Sequence, residues 1–201
     1  MPSSHPMTLD PSEPGLWALI REDLRAHEGD WHRPGFRALL AYRFGVWRMT
    51  VNPKPLRAPL SVLYRWMFRR ASQRYGIELP YSASIGRRVV FEHQHGIVIH
   101  GASVIGDDCI IRQGVTLGNR HLDRPFDAPT LGCGVSVGAG AVLLGGIQVG
   151  DGASVGANAV VLDNVEPEQT VVGIPARPIA SGAKAGELHA GPGAEPRRAV
   201  T

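Results

Sequence analysis

"VSVGAGAVLLGGIQVGDGASVGANAVVL", residues 135–162, places an aliphatic residue at every sixth position: Val137, Leu143, Val149, Val155 and Val161. Glycine follows three of them, at Gly138, Gly150 and Gly156, and alanine stands four places on at Ala141, Ala153 and Ala159. Strict alternation would describe a sandwich strand, but it would not hold a phase of six for this long. Each unit reads as one short strand and a turn. The aliphatic residue points into a narrow interior, the glycine eases the turn, and the small residue fits where the interior is tightest.

The phase extends back through Leu131, through Ile99, Ile105, Ile111 and Leu117, and to Ile85 and Phe91. Gly86, Gly106, Gly118 and Gly132 repeat the glycine, and Ser103, Cys109, Val115 and Val135 the small or β-branched residue. The fold class is mainly β, a parallel β-helix of hexapeptide repeats over residues 77–180. An α-helical segment, 15–76, precedes it. Its helices read as "GLWALIREDLRAHEG", "PGFRALLAYRFGVWRM" and "LSVLYRWMFRRASQRYG", with Pro53, Pro55 and Pro59 breaking the chain before the third and Gly76 ending it. Residues 1–14 read as a disordered N-terminus and 181–201 as a flexible tail.

The chain has 201 residues and a net charge of +3, too little to argue for nucleic acid. Two cysteines, Cys109 and Cys133, form neither a disulfide framework nor a metal knuckle and suit a reducing compartment. No apolar run is long enough to span a bilayer, and the N-terminus lacks the build of a signal peptide, so the expected location is cytoplasmic. Residues 56–75 carry five arginines and no acid. That pattern is expected to be a solvated basic face or a contact between subunits, with membrane-surface binding as the other class.

The frame slips twice. Phe91 to Ile99 is eight residues, and Leu117 to Leu131 is fourteen, each read as two beyond a multiple of six. A solenoid gains no packing from such insertions, so they are where chemistry is grafted. The first slip holds "EHQHG", with His93 and His95 and then His100. The second is the polar loop "GNRHLDRPFDAP". On a strand His93 and His95 would face one side, but zinc would need a third ligand, His100 or His121, and no cysteine or carboxylate pattern supports one. His95 and His100 fit solvated or hydrogen-bonded roles. A catalytic histidine needs a carboxylate. Glu92 is adjacent and would point away, whereas Glu78, fifteen residues earlier, is close to one coil back.

These segments resemble the serine O-acetyltransferase family of left-handed β-helix acyltransferases. "GIELPYSASIG" is similar to the segment around that family's catalytic acid, and "VVFEHQHGIVIHGASVIGDDCIIRQGVTLG" to the segment around its catalytic histidine. "LGGIQVGDGASVGANAVVLDNVEPEQTVVGIPAR" is similar to its last coils. The resemblance implies a left-handed helix, acetyl-CoA as co-substrate with no metal, and a homotrimer or a dimer of trimers. It implies His93 as general base and Glu78 as its carboxylate partner. Glu92 then stands where the family contacts serine, Gly118 and Asn119 near the thioester, and Ala139 and Ala157 in the coenzyme A groove.

Three departures bear on the acceptor. The loop ends in Asp127, Ala128 and Pro129 where the family has Arg-His-Pro, residues that help hold the substrate carboxylate and the reacting centre. The helical segment is shorter and lacks the "DPA" motif, leaving Asp30 as a weak stand-in. "RRAVT" lacks the terminal isoleucine that docks some members into the next enzyme of cysteine synthesis. L-serine is the preferred acceptor, held by Glu92 with Arg120, His121 or Arg124 from the loop. The alternative is a sugar hydroxyl in exopolysaccharide synthesis, which presents no α-carboxylate to bind.

Overall fold

The computed structural model describes residues 15–179. Three α-helices come first: α1 (Leu16–Ala26), α2 (Pro34–Trp47) and α3 (Lys54–Tyr75). Pro34 opens α2, where its missing N–H has no helical partner to lose. The prolines before the third helix do not break it: α3 begins at Lys54 and takes in both Pro55 and Pro59. Pro55 stands in the first turn, whose N–H groups are unpaired anyway, and both rings point to solvent. Gly76, at φ 62°, ends the helix in the left-handed conformation.

From Ile77 the chain winds into a three-sided parallel coil. One face stacks Ile77–Glu78, Ile97–Ile99, Thr116–Gly118, Val142–Leu144 and Val160–Val161. A second stacks Ser84–Ile85, Val104–Ile105, Thr130–Leu131 and Gln148–Val149. The third stacks Val90–Phe91, Ile110–Ile111, Ser136–Val137, Ser154–Val155 and Thr170–Val172, and Arg177–Pro178 closes it antiparallel. Every aliphatic residue of the hexad phase is buried, as are Ser103, Cys109, Val115, Val135, Ala141, Ala153 and Ala159 four places on. Each large side chain removed from water contributes about 1.5–3 kcal/mol, so the column from Ile77 to Val171 is the main stabilising element.

The register measures the slips. Val98 aligns with Thr116 and Ser136 with Ser154, in each case three hexads on, which is the undisturbed coil. Ile77 aligns with Ile97, two positions beyond three hexads, so the first slip adds two. Val104 aligns with Thr130, eight positions beyond three hexads. The second slip therefore inserts eight residues rather than two, because Thr116–Gly118 and Thr130–Leu131 are successive strands of one coil with no further hexad between them.

The helices dock on the first coil through polar groups on a stripe that otherwise reads as apolar. Asp23 and His27 continue the spacing of Ile20 and Leu24, and both are buried at 1 % exposure. Arg43 of α2 meets Asp23 at 2.8 Å and donates to the carbonyls of Ile85, at 3.0 Å, and Gly86, at 2.6 Å. One guanidinium thus ties α1, α2 and a turn of the coil. The His27 Nδ1–H donates to the Asp23 carbonyl, and Nε2 accepts the Phe91 N–H at 3.4 Å. Gly35 brings α2 so close that a Cβ there would fall on the Phe91 carbonyl. Arg48 lies 4.4 Å from the ring centres of both Tyr64 and Tyr81, pinning α3 to the coil's first turn.

Arg43→Ala should cost about 3–5 kcal/mol in denaturant unfolding, because it strands a buried carboxylate. Asp23→Leu together with Arg43→Met should recover only part of that, since the two carbonyls stay unpaired. A single-variant loss near zero would show that the ion pair is not the tie. His27 gives a pH signature. Burial, first of its causes, lowers its pKa below the ordinary value. The unfolded chain then binds the extra proton, so this stability is complete above about pH 6.5 and drains as pH falls from there toward the folded value. A melting temperature followed from pH 8 to 5 should drop less steeply in His27→Gln than in the parent.

Candidate active site

The first slip is a corner, not a strand. Residues 92–96 turn between Val90–Phe91 and Ile97–Ile99, and His93 and His95 have φ of 65° and 75°. Period-two reasoning therefore fails for them, since their left-handed backbone does not alternate sides. The corresponding turns in later coils use Gly114 at 74°, Gly140 at 72° and Asn158 at 56°. A side chain with a Cβ costs roughly 1–3 kcal/mol in this conformation. Gly96, at 75°, is their stacking equivalent here, so His93 and His95 are left-handed residues added beside the corner glycine rather than in place of it.

Three histidines separate by surroundings. The His95 N–H donates to the Tyr75 carbonyl at 2.7 Å, its own carbonyl accepts from Gly114, and the residue lies against Gly76. It splices α3 to the coil. His100 Nδ1 accepts from the Ala102 N–H at 3.2 Å, a local turn bond. His93 is exposed and makes no side-chain hydrogen bond among the described residues. Glu78 is exposed as well, but its register partner is Val98, five residues past His93, and its carboxylate accepts the Ser72 hydroxyl at 3.3 Å. In the single chain no bond joins Glu78 and His93. The fifteen-residue spacing falls short of this coil, which is itself two residues longer than three hexads.

Glu92 does point outward, and it pairs at 2.9 Å with Arg112, a residue that no motif in the sequence picks out. Arg112 follows Glu92 by one such lengthened coil, directly after the paired strands Val90–Phe91 and Ile110–Ile111, so the register is the signal that finds it. It also donates to Ser136 at 3.1 Å.

Ala139 and Ala157 occupy the same corner in later coils. The Gly114 N–H donates to His95, Gly140 to Gln113 and Asn158 to Ala139, each at 2.8–3.0 Å. The histidine turn and both alanines therefore stand along one edge of the prism. Small residues are forced there: a Cβ on Gly138 would meet the Ala157 nitrogen at 2.5 Å.

Gly118, half-buried, and Asn119 begin the eight-residue insertion at a different corner. Residues 119–129 leave the coil as an irregular loop. Asn119 Nδ2 donates to the His121 carbonyl at 3.0 Å, and Arg124 faces Asp127 at 3.8 Å. Arg120 makes no ion pair among the described residues, and its stem lies over Gly145. Leu122 is 97 % and Phe126 77 % exposed at the loop tip. Ala128 and Pro129 are buried at its base. Two concavities among the described residues lie on the helices, one along α3 and one between α2, α3 and Trp31, and His93 lines neither. The candidate residues thus lie on an open edge, with the loop a full face away. Among the described residues no group of three His, Cys, Asp or Glu side chains is gathered as a metal site.

The family model for bacterial transferase hexapeptide repeats matches residues 128–163. The chain is 38 % identical to the serine acetyltransferase of Synechococcus elongatus over 146 residues, 73 % of this chain and 57 % of that one. It is 42 % identical to the Escherichia coli protein named as a candidate colanic acid biosynthesis acetyltransferase, WcaB, over 161 residues, 78 % of this chain and 96 % of that one. Soybean serine acetyltransferase complexed with serine superposes with a TM-score of 0.70 at 34 % identity, covering 84 % of this chain and 71 % of that one. This chain belongs to the serine acetyltransferase family. Serine acetyltransferase of Brucella abortus in complex with coenzyme A superposes equally well, with a TM-score of 0.70 at 29 % identity, over 81 % of this chain and 67 % of that one. The coil is that family's left-handed β-helix. The chain spans little more than half the length of the cyanobacterial serine acetyltransferase, but nearly all of WcaB.

Neither cysteine lies at the histidine corner. The Cys109 thiol is buried, donates to the Gly132 carbonyl at 3.1 Å, and burial pushes its pKa up to about 11. Cys133 is exposed. Iodoacetamide at neutral pH should therefore label Cys133 and leave Cys109 untouched, as read by peptide mass spectrometry. Prior labelling should leave acetyl transfer intact. Labelling of Cys109 at a rate like that of Cys133 would contradict its burial.

Proposed function

We propose that the chain transfers the acetyl group of acetyl-CoA directly to a hydroxyl oxygen, with L-serine as the acceptor. What carries this reading is the exposed His93, without a side-chain hydrogen bond among the described residues, on a left-handed corner within a segment that resembles the one around the catalytic histidine of serine acetyltransferases. His93 takes the acceptor's proton as its oxygen attacks the thioester carbonyl. A tetrahedral adduct forms, its C–S bond breaks, and the departing thiolate of coenzyme A takes the proton back from the imidazolium. Glu78 is the carboxylate that orients His93 and stabilises its cation. In the free chain it rests on Ser72, so this role requires the glutamate to swing from that hydroxyl to the imidazole. Glu92 contacts the acceptor and Arg112 holds Glu92. Gly118 and Asn119 flank the thioester. Ala139 and Ala157 line the coenzyme A groove along the edge they share with the histidine turn.

The functional unit in this reading is a homotrimer. An open edge in one chain and a loop a face away both favour a site closed by a second subunit, with residues 119–129 reaching the neighbour's His93. Arg120, rather than the Asp127-paired Arg124, is the loop cation available for a carboxylate, with His121 beside it. The need for acetyl-CoA fits a cytoplasmic location.

A second reading has its own support. WcaB is matched over nearly its whole length, and Asp127 replaces the loop arginine that would hold a serine carboxylate. Both favour a sugar hydroxyl as acceptor. Release of free thiol from acetyl-CoA, with L-serine against a panel of nucleotide sugars, separates the two. Thiol release with serine alone supports the first reading, and release with a sugar alone replaces it.

With the working acceptor, His93→Ala should lower turnover at least about a hundredfold. Glu78→Gln should lose less, and His95→Ala should keep most activity if it folds. A His93→Ala enzyme of near-normal turnover would remove the mechanism. Light scattering should report three subunits, and a monomer at assay concentration would contradict the shared site.

A further inference from the structure

The outward face of α3 is left without a role by the reaction. There is no acidic residue between Asp30 and Glu78. On α3, Lys54, Arg65, Arg69, Arg70 and Arg74 are all exposed, and none makes a salt bridge among the described residues. Their neighbours on the same outward arc are apolar: Leu56, Val62, Leu63 and Trp66 are 60 %, 57 %, 44 % and 59 % exposed. The helix places its apolar residues toward its N-terminal half and its arginines toward its C-terminal half. Trp66 joins the two, with the Arg70 guanidinium 5.8 Å from its ring centre. Trp66, Arg69, Arg70, Gln73 and Arg74 line an open groove.

We propose that this face docks on an anionic lipid surface. Single-sign charge interleaved with tryptophan and aliphatic side chains fits a layer of phosphate headgroups above hydrocarbon, where arginines pair with phosphates and the apolar groups enter the boundary. A second copy across a two-fold axis is the poorer occupant, and a three-fold contact, which would set this face against a different surface, is read by the oligomer size below. A two-fold contact sets a face against itself, bringing five cations onto five with no carboxylate between them. No helix of the described residues is long and apolar enough to cross a membrane, so the contact lies on the surface. The inner side of the same helix carries Ser72 against Glu78, and Tyr75 against His95, so docking would hold the histidine corner near the headgroups. The inference does not depend on which acceptor is used.

The test is co-sedimentation of the full chain with vesicles of phosphatidylcholine alone, or of equal parts phosphatidylcholine and phosphatidylglycerol. Binding is expected only to the anionic vesicles and should weaken in high salt. Arg69→Glu, Arg70→Glu and Arg74→Glu together should lower partitioning roughly a hundredfold, each cation contributing about fivefold at an anionic surface. Oligomer size and turnover should stay at parental values. If the triple variant does not fold, the three arginine-to-glutamine changes are read the same way. The proposal is overturned if the folded parent ignores anionic vesicles, or if the variant binds them as the parent does. A variant that changes oligomer size also overturns it, because the face then contacts another copy.

Discussion

Parallel pairing between successive coils is the constraint on which everything else rests. Each strand is two or three residues long and could not persist alone. It persists because its N–H and C=O groups bond to the coils before and after it, and one inward aliphatic side chain per strand fills the prism. Such stacking works only if coils have matching length, hence the return of Val98 to Thr116 and of Ser136 to Ser154 after three hexads. The narrowness of the prism then dictates small residues beside the large ones, down to Ala141, Ala153 and Ala159, which are wholly buried.

That rigidity makes departures legible as chemistry. Extra residues cannot enter the prism, so they are expelled at corners. Two extra residues at 92–96 put His93 and His95 in the left-handed conformation, and the first of them makes no side-chain hydrogen bond among the described residues. Eight extra residues at the other slip form a loop whose apolar tip, Leu122 and Phe126, lies in solvent in a single chain. Because stacking also aligns corners, the proposed base and the alanines proposed for coenzyme A share one edge without being near in sequence.

The helices are held to this scaffold by different physics. A solenoid end exposes unpaired carbonyls, and here Arg43 bonds those of Ile85 and Gly86 while Asp23 balances its charge. His27 serves the Phe91 N–H in the same way, and burial keeps it neutral. Asp23, His27 and Arg43 are thus satisfied polar groups over an apolar column, so losing one partner is costlier than losing one contact, whereas the buried Arg48 Nε has no partner.

Short-range pattern alone settles the repeat, the inward column, the helix-to-coil boundary at Gly76 and the two places where the phase breaks, because each is written in a fixed period. It also places His93 and His95 at a break, while the choice of His93 between them comes from the family resemblance. It cannot give the coil length at each slip, since that is set by which strands pair across space. Hence spacing undercounts the second insertion, and it sets Glu78 a coil from His93 when the register partner of Glu78 is Val98. The conformation of residues 92–96 escapes it for the same reason: a strand period is the local expectation where stacking requires a corner. Arg112 beside Glu92, and the Asp23–Arg43 pair inside an apparently apolar stripe, are decided by tertiary structure. Charged side chains declare themselves as buried or paired only when the fold brings their partners to them.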